Sequence, residues 1–260
     1  MTDIDHHSQI ARTLHATCHA HAITPLHAIE SGSRAWGFAS FDSDFDVRLI
    51  YHHTPDWYLQ IYDGKDTFEF INHDLFDVPF DIGGWDIKKV LVHIHKSNAV
   101  IFEWLNSPII YHSNDDFVQS LKKIQSEFFN PKTVYHHYQG MAKKANGNLD
   151  LTCPIKLKKW CYIIRALLAS LWIKEYQSIP PVCMNKMFNL LTNDDVDELN
   201  YIISLKQSYD ESYPYQLPKS MQKLTQHLWQ NTQHLTFNKK TKGDVGVLND
   251  LFRKIVLKTI

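Results

Sequence analysis

Residues 29–50 read IESGSRAWGFASFDSDFDVRLI and contain two features, spaced eleven residues apart, that indicate the architecture. Gly32 and Ser33 follow an apolar run, and Asp44 and Asp46 open the next one. Because side chains at positions i and i+2 of a strand lie on the same face, Asp44 and Asp46 are predicted to point the same way. Two carboxylates this close repel each other unless a cation lies between them. Mg²⁺ or Mn²⁺ is the expected cation, since such ions prefer oxygen ligands.

The Gly-Ser step predicts a place for phosphate groups. A glycine at the end of a strand lets the backbone approach a ligand closely. If a helix begins at Ser33, its free N–H groups and the Ser33 hydroxyl would face a phosphate. A lone Gly-Ser is usually a turn, and the acidic segment alone could be a capped loop. Together, with an apolar run before each, Gly32, Ser33, Asp44 and Asp46 predict a triphosphate cradle beside a metal site.

These residues resemble the signature of the DNA polymerase beta superfamily of nucleotidyltransferases, in which Gly-Ser or Gly-Gly is followed, after a spacer, by Asp-x-Asp. The resemblance is closer to one family of predicted nucleotidyltransferases, found mainly in bacteria and their phages, some of which are associated with RNA repair. It is dense over about residues 25–112 and weak beyond Trp172. The segments that carry it are GSRAWG (32–37), SDFDVR (43–48), GWDIKK (84–89), KSN (96–98) and EWLNSP (103–108).

The resemblance implies an α+β fold, with a nucleotidyltransferase-type mixed β-sheet flanked by helices and an all-α C-terminal helical domain after it. It also implies a metal-dependent enzyme that transfers a nucleoside monophosphate from a nucleoside triphosphate to an acceptor hydroxyl and releases pyrophosphate. Phe41 and Gly83 depart from the family's pattern. Neither departure replaces a proposed metal ligand, so neither argues for an inactive protein.

A third carboxylate is expected, because two metal ions that clamp the attacking and leaving oxygens usually need one from another strand. Asp81 is the preferred candidate: it lies among apolar residues just before a Gly-Gly pair, and burying a carboxylate there is costly without a cation. Glu69 and Asp86 remain alternatives, although Asp86 also suits the first turn of the following helix. In this interpretation Asp81 holds metal with Asp44 and Asp46 and helps to orient or deprotonate the acceptor hydroxyl.

Three basic residues near these acids are predicted to contact the nucleotide. Arg34 offers a planar fork to a phosphate, or else pairs with Asp42 or Asp46. Arg48 lies on the same face of the predicted strand as Asp44 and Asp46, so it either pairs with these two acids, the favoured interpretation, or binds phosphate. Lys88, near the start of the helix after the Gly-Gly pair, is the better phosphate candidate of two adjacent lysines.

Charge is divided unevenly along this chain of 260 residues, whose net charge is −1. Residues 1–130 hold nine Lys and Arg against eighteen Asp and Glu, whereas residues 131–260 hold eighteen against ten. An acidic metal-binding half joined to a basic half suits a polyanionic partner, although two ordinary solvated faces would give the same counts. An RNA end is the favoured acceptor. The alternatives are a protein hydroxyl, a small molecule, or a nucleotide-binding regulatory module without catalysis.

Hydrophobic periodicity divides the chain near residue 130 into a catalytic domain, 1–130, and a helical C-terminal domain, 131–260. Strands are predicted at residues 26–30, 44–52, 57–61, 67–72 and 76–82. The Gly-Gly pair is expected to break the chain before a helix over 85–96. A long helix over 154–176 places Tyr162 and Arg165 on one face, where they either pack or contact a ligand.

The cysteines, the N-terminal residues and the lengths of the apolar runs indicate the expected cellular compartment. The four cysteines form no C-x-x-C spacing and no recognisable disulfide framework. The N-terminal residues are polar and acidic, unlike a signal peptide, and no apolar run approaches the roughly 18 residues of a membrane span. A cytoplasmic location is therefore the default expectation.

Overall fold

The computed structural model describes residues 3–72, 74–147, 149–210, 213–233, 235–237 and 243–257. This part of the chain forms two compact units. The first takes its described residues from Met1–Gly32, Asp44–Phe128 and Thr241–Ile260, and the second from Ser33–Ser43 and Phe129–Lys240.

A five-stranded mixed sheet forms the centre of the first unit. Its strands are β1 (Thr24–Glu30), β2 (Phe45–His52), β3 (Thr67–Asn72), β4 (Phe80–Asp86) and β5 (Ile110–Ser113). They lie in the order β3-β4-β2-β1-β5; β2 and β4 are parallel, and the other neighbouring pairs are antiparallel. The parallel pair matters for the site, because it aligns the first residues of β2 with the first residues of β4.

Helices flank this sheet and form most of the second unit. In chain order they are α1 (Asp3–Ala20), α2 (Gly32–Trp36), α3 (Pro55–Tyr58), α4 (Ile87–His95), α5 (Ala99–Leu105), α6 (Asp115–Phe128), α7 (Pro131–Asn146), α8 (Leu157–Tyr176), α9 (Asn193–Ser208), α10 (Lys219–Asn231) and α11 (Val245–Val256). A 3₁₀ helix also covers Met184–Leu190. Within the described residues, no helix combines the length and the apolar character needed to cross a membrane.

One face of the sheet packs against α1 and forms the core of the first unit. Three buried residues of α1 recur at helical spacing on this side: Ile10, Leu14 and Cys18. In β2 the residues Phe45, Val47 and Leu49 are buried, whereas Asp46 and Arg48 between them are only half-buried. The strand period of two therefore places Asp46 and Arg48 on the face opposite this part of the core, as predicted.

The second unit is mainly helical, and α8 runs through its core. Thirteen of the twenty residues of α8 are buried, so this helix is apolar on nearly every side rather than amphipathic. A short ladder pairs β6 (Ile155–Lys156) with β7 (Pro214–Tyr215). Contrary to expectation, the C-terminal region is therefore not entirely α-helical, but the α+β fold with a helical C-terminal region is confirmed.

The predicted break at the Gly-Gly pair is wrong. Strand β4 continues through Gly83 and Gly84 to Asp86. A Cβ atom at Gly83 would lie 3.1 Å from Nη1 of Arg48, and one at Gly84 would lie 3.1 Å from the ring of Tyr51. The two glycines therefore leave room for side chains of the neighbouring strand, and they do not turn the chain.

Two further expectations need correction or addition. Residues 57–61 do not form the predicted strand, because the short helix α3 begins at Pro55, a residue well suited to the first turn of a helix. Residues 33–43 belong to the second unit and residues 241–260 to the first, so both segments cross the boundary expected near residue 130. A division into domains 1–130 and 131–260 stays a prediction.

Candidate active site

The register of the parallel strands brings together two of the predicted acids. Asp46 is paired with Asp81 across β2 and β4. Arg48 donates from Nη1 to Oδ2 of Asp81 at 2.6 Å and from Nη2 to Oδ1 of Asp46 at 3.1 Å. A single guanidinium thus joins both carboxylates. Its pairing with Asp46 was expected from the sequence, whereas its pairing with Asp81 was not.

Gly32 closes one side of this cluster. Its φ of +63° lies in the left-handed region, which glycine adopts without steric cost. A Cβ atom at this position would collide with Oδ2 of Asp46. The backbone N–H of Ser31 also donates to the carbonyl oxygen of Asp46 at 2.9 Å. The glycine of the Gly-Ser step therefore lies directly against the second acid of the Asp-x-Asp pair, as the sequence predicts.

Asp44, the first acid of the Asp-x-Asp pair, precedes β2 by one residue and is half-buried. Its charge acts on Asp46, whose pKa is raised above the ordinary value. The largest cause is burial, which disfavours the charged form, and the repulsion from Asp81 and Asp44 raises the pKa further. Arg48 lowers it but does not cancel the rise. Asp46 is thus a carboxylate that gains from an additional cation.

Glu30 binds the backbone of Asp46 and was not identified from the sequence as a residue of the site. It is fully buried at the end of β1. Its Oε1 accepts the backbone N–H of Asp46 at 2.7 Å, and its Oε2 accepts the hydroxyl of Tyr111 at 2.7 Å. Glu30 therefore fixes the backbone at Asp46. The signal available in the sequence was a glutamate that ends an apolar strand, which is costly unless hydrogen bonds satisfy the carboxylate.

The two alternative third acids have other surroundings. Asp86 is buried, caps α4 by accepting from the backbone N–H of Lys88 at 2.8 Å, and accepts from the Tyr58 hydroxyl at 2.6 Å. This is the helix-start role considered for Asp86 in the sequence. Glu69 is exposed on β3, where it pairs with Gly83. Of the three candidates, Asp81 is the one that shares an arginine with Asp46.

The predicted nucleotide-binding residues are only partly brought together. Lys88 is mostly exposed, with its Nζ 3.4 Å from Asp63. Because β4 does not break, Lys88 follows the far end of the strand, roughly 17 Å along it from Asp81 at about 3.3 Å per residue. The expected proximity of Lys88 to the acids is therefore wrong, and its contact with nucleotide stays a prediction.

Ser33 and Arg34 belong to the second unit. Ser33 is buried within the short helix α2, and Arg34 donates from Nη2 to the carbonyl oxygen of Ser43 at 2.6 Å. Arg165 lies in the same unit, where it is buried, stacks 4.1 Å from the ring of Trp36 and donates to the carbonyl oxygen of Val182. These contacts give Arg165 the packing role that the sequence left open.

The donor chemistry of the cluster fits a divalent cation. Among the described residues, no group of three or more His, Cys, Asp and Glu side chains is arranged as a metal site. Asp44, Asp46 and Asp81 nevertheless offer only oxygen donors, which is the chemistry that Mg²⁺ and Mn²⁺ favour. With Arg48 they carry a formal charge of −2 when ionised, which a single divalent ion would balance.

Comparison with known proteins gives the family. Residues 6–254 match the RNA repair pathway DNA polymerase beta family. The uncharacterized protein YcgL of Bacillus subtilis (strain 168) is 38% identical over 172 residues, which are 66% of this chain and 65% of that protein, so the match spans just under two thirds of its length. The crystal structure of a nucleotidyltransferase-like protein from Exiguobacterium sibiricum aligns with 96% of this chain and 76% of its own, at 14% identity and a TM-score of 0.33.

The family match covers nearly the whole described chain and includes every residue of the cluster around Asp46 and Asp81. It confirms the superfamily predicted from the Gly-Ser and Asp-x-Asp pair. The chain belongs to the RNA repair pathway DNA polymerase beta family, and its fold is that of a polymerase-beta-type nucleotidyltransferase.

Proposed function

We propose that this protein transfers a nucleoside monophosphate from a nucleoside triphosphate to an acceptor hydroxyl, with release of pyrophosphate and with dependence on Mg²⁺ or Mn²⁺. The observation that carries the proposal is the Asp46–Asp81 pair, held in register on parallel strands and closed on one side by Gly32. A family of polymerase-beta type supports the same reaction class.

Asp44, Asp46 and Asp81 are the residues that would hold the metal. When bound, divalent ions neutralise phosphate charge and clamp the attacking and leaving oxygens. The raised pKa of Asp46 supports this assignment, because a carboxylate destabilised by burial and by its neighbours gains most from a cation. Asp81, from the neighbouring strand, would also orient the acceptor hydroxyl or accept its proton.

Gly32 supplies open backbone next to the acids. Without a side chain at this position, a phosphate group can approach the main chain beside Asp46, where a Cβ atom would collide with the carboxylate. Ser33 and Arg34 follow Gly32 in the chain and are proposed to complete the contacts with the triphosphate. Arg48 is proposed to act mainly as a positioning residue, because it already spans Asp46 and Asp81.

An RNA end is the proposed acceptor. Two observations support this choice: the chain belongs to a family named for an RNA repair pathway, and residues 131–260 carry an excess of Lys and Arg, the charge that a nucleic acid requires. A protein hydroxyl and a small molecule are the competing acceptors, and the cluster itself does not select among them.

The test is incubation with labelled nucleoside triphosphates, Mg²⁺, and either RNA or protein as acceptor. Wild type is expected to label RNA, and Asp46→Asn plus Asp81→Asn is expected to lose transfer while remaining folded. The matched control is Asp197→Asn plus Asp250→Asn, which removes two exposed carboxylates elsewhere. Nucleotide binding by wild type without transfer to any acceptor would overturn the proposal in favour of a regulatory module.

A further inference from the structure

A second charged feature lies in the helical unit, in a cavity where α7 ends and α8 begins. Its volume is about 710 Å³, within the roughly 300–1,000 Å³ typical of ligand sites. Four lysines line it: Lys144 from α7, Lys156 from β6, and Lys158 and Lys159 from α8. None of its lining residues in the described part of the chain is acidic.

Lysine is the only charged residue type in the described lining of this cavity. A surface with an excess of positive charge attracts anionic groups. Of the four lysines, Lys144, Lys156 and Lys159 are exposed, so their ammonium groups are accessible to a partner.

Most of the cavity lining is apolar. Met141 and Tyr162 contribute to this apolar surface, together with the aliphatic parts of the lysine side chains. The Tyr162 ring is held by edge-to-face contacts with Trp36 and Phe38, with ring centroids 4.9 Å and 6.1 Å away. Such contacts fix the ring in place, which lowers the entropic cost of stacking a ligand on it.

Lysines that surround a fixed aromatic ring and apolar surface form the combination that binds single-stranded nucleic acid, in which cations follow the phosphates and rings stack on bases. We infer that this cavity binds single-stranded RNA, with Lys144, Lys156 and Lys159 on successive phosphate groups and a base against Tyr162. The inference rests on the proposed function for its choice of RNA, and it assigns that partner a site away from the Asp46–Asp81 cluster in sequence.

Three elements contribute the lysines, and the cavity is open, so it suits a chain of phosphates better than one compact group. Single-stranded RNA is further favoured over duplex, because stacking on Tyr162 requires an exposed base face. Binding is expected to weaken with added salt, since each lysine–phosphate contact releases counterions from the RNA.

The test is fluorescence anisotropy of a short labelled single-stranded RNA, titrated with protein without nucleotide or metal over a series of salt concentrations. Lys156→Gln plus Lys159→Gln is expected to weaken binding roughly tenfold. The slope of log affinity against log salt should become shallower by about 1.4, or about 0.7 for each lost phosphate contact. Tyr162→Leu should weaken binding about fivefold or more, whereas Tyr162→Phe, which keeps the ring, should not.

The matched control is Lys219→Gln plus Lys223→Gln, which removes two exposed lysines of α10 in the same unit. It should leave the salt slope unchanged and the affinity within about twofold. Equal weakening by both double variants would mean that only overall charge matters and would overturn the site. Unchanged binding in Lys156→Gln plus Lys159→Gln, with native circular dichroism, would also overturn it.

Two further experiments are needed. The first distinguishes binding of RNA from binding of free triphosphate, and the second distinguishes failure of this inference from failure of the proposed function. If ATP or inorganic triphosphate displaces the RNA at equal phosphate concentration, the cavity binds free triphosphates and the RNA assignment is wrong. RNA binding by Asp46→Asn plus Asp81→Asn should equal that of wild type. Binding at the cavity with no transfer by wild type would sink only the proposed function. Transfer to RNA at an unchanged KM in the cavity variants would sink only this inference.

Discussion

Asp46 and Asp81 are register partners on adjacent parallel strands, and both accept hydrogen bonds from the same arginine. The two carboxylates are brought together by the pairing of β2 with β4 and not by their neighbours in the sequence. Two ionised carboxylates that share one guanidinium are balanced only in part, and Asp44 adds a further negative charge that acts on Asp46. This residual charge is the physical basis for the metal dependence that we propose.

Removing Arg48 should increase the uncompensated negative charge of Asp44, Asp46 and Asp81. Arg48→Gln is expected to lower the free energy of unfolding by about 1–3 kcal/mol, less than for a fully buried pair because the side chains are about a quarter to a third exposed. Mg²⁺ should then stabilise the variant more than wild type, since the acids have lost their internal cation. Urea unfolding with and without Mg²⁺ measures both effects.

The control for this experiment is Arg253→Gln, whose partner Asp250 lies on an exposed turn of α11. It should change neither stability nor the response to Mg²⁺ by a measurable amount. An equal response to Mg²⁺ in wild type and Arg48→Gln would contradict the residual-charge argument.

Gly32→Ala should destabilise the protein, because the added Cβ atom would collide with the Asp46 carboxylate. The variant adopts an unfavourable positive φ and also places a methyl group against Asp46, so a combined loss of about 2–4 kcal/mol is expected. Gly37→Ala is the control, because Gly37 also has a positive φ, of +90°, but nothing lies within 4 Å of its added Cβ atom. Thermal unfolding of the two variants separates backbone strain from the collision. Equal losses would show that the contact with Asp46 has no effect.

The stability profile against pH should report Asp46. Its folded-state pKa is raised above the unfolded value of about 3.8, so the folded protein binds this proton more tightly than the unfolded chain does. The contribution of Asp46 to stability is therefore most favourable below the unfolded pKa and declines as pH rises through the folded pKa. The difference in unfolding free energy between wild type and Asp46→Asn should fall over that window and then stay level. A difference that rises with pH would mean that the pKa of Asp46 is lowered.

Tyr111→Phe should lower the stability of the protein, because it removes a hydrogen bond that holds Glu30. The change removes the hydroxyl that donates to Oε2 of Glu30, and losing a hydrogen bond to a buried carboxylate costs about 1–3 kcal/mol. Tyr176→Phe removes a hydroxyl that accepts from the exposed Asn189, and it should be close to neutral. Chemical denaturation compares the two. A Tyr111→Phe variant as stable as wild type would mean that this bond does not hold Glu30.

Local sequence patterns predicted much of the site because the relevant geometry is local. Alternation along one strand is enough to place Asp46 and Arg48 on a common face, and apolar neighbours are enough to mark Asp81 as a costly acid in a strand. The same reasoning failed at Gly83, which suggested a turn when taken alone. Its absent side chain makes room for Arg48, a residue of a different strand, so its meaning depends on a tertiary contact.

Long-range contacts account for the other differences. Glu30 is held by Tyr111, 81 residues away, and no periodicity connects the two. Lys88 was expected near the acids because β4 was expected to end earlier, and an intact strand carries it to the opposite end. Such relationships follow from which strands pair, and the pairing of β2 with β4 bypasses β3, the intervening strand in the chain.

The most direct measurement of the central claim compares two labels on the same nucleoside triphosphate, incubated with wild-type protein, Mg²⁺ and RNA. We predict that a label on the α-phosphorus enters the acceptor while a label on the γ-phosphorus leaves as pyrophosphate. We also predict that Asp46→Asn plus Asp81→Asn abolishes both events. Transfer of the γ-label to the acceptor, or α-label transfer that survives the loss of both carboxylates, would contradict it.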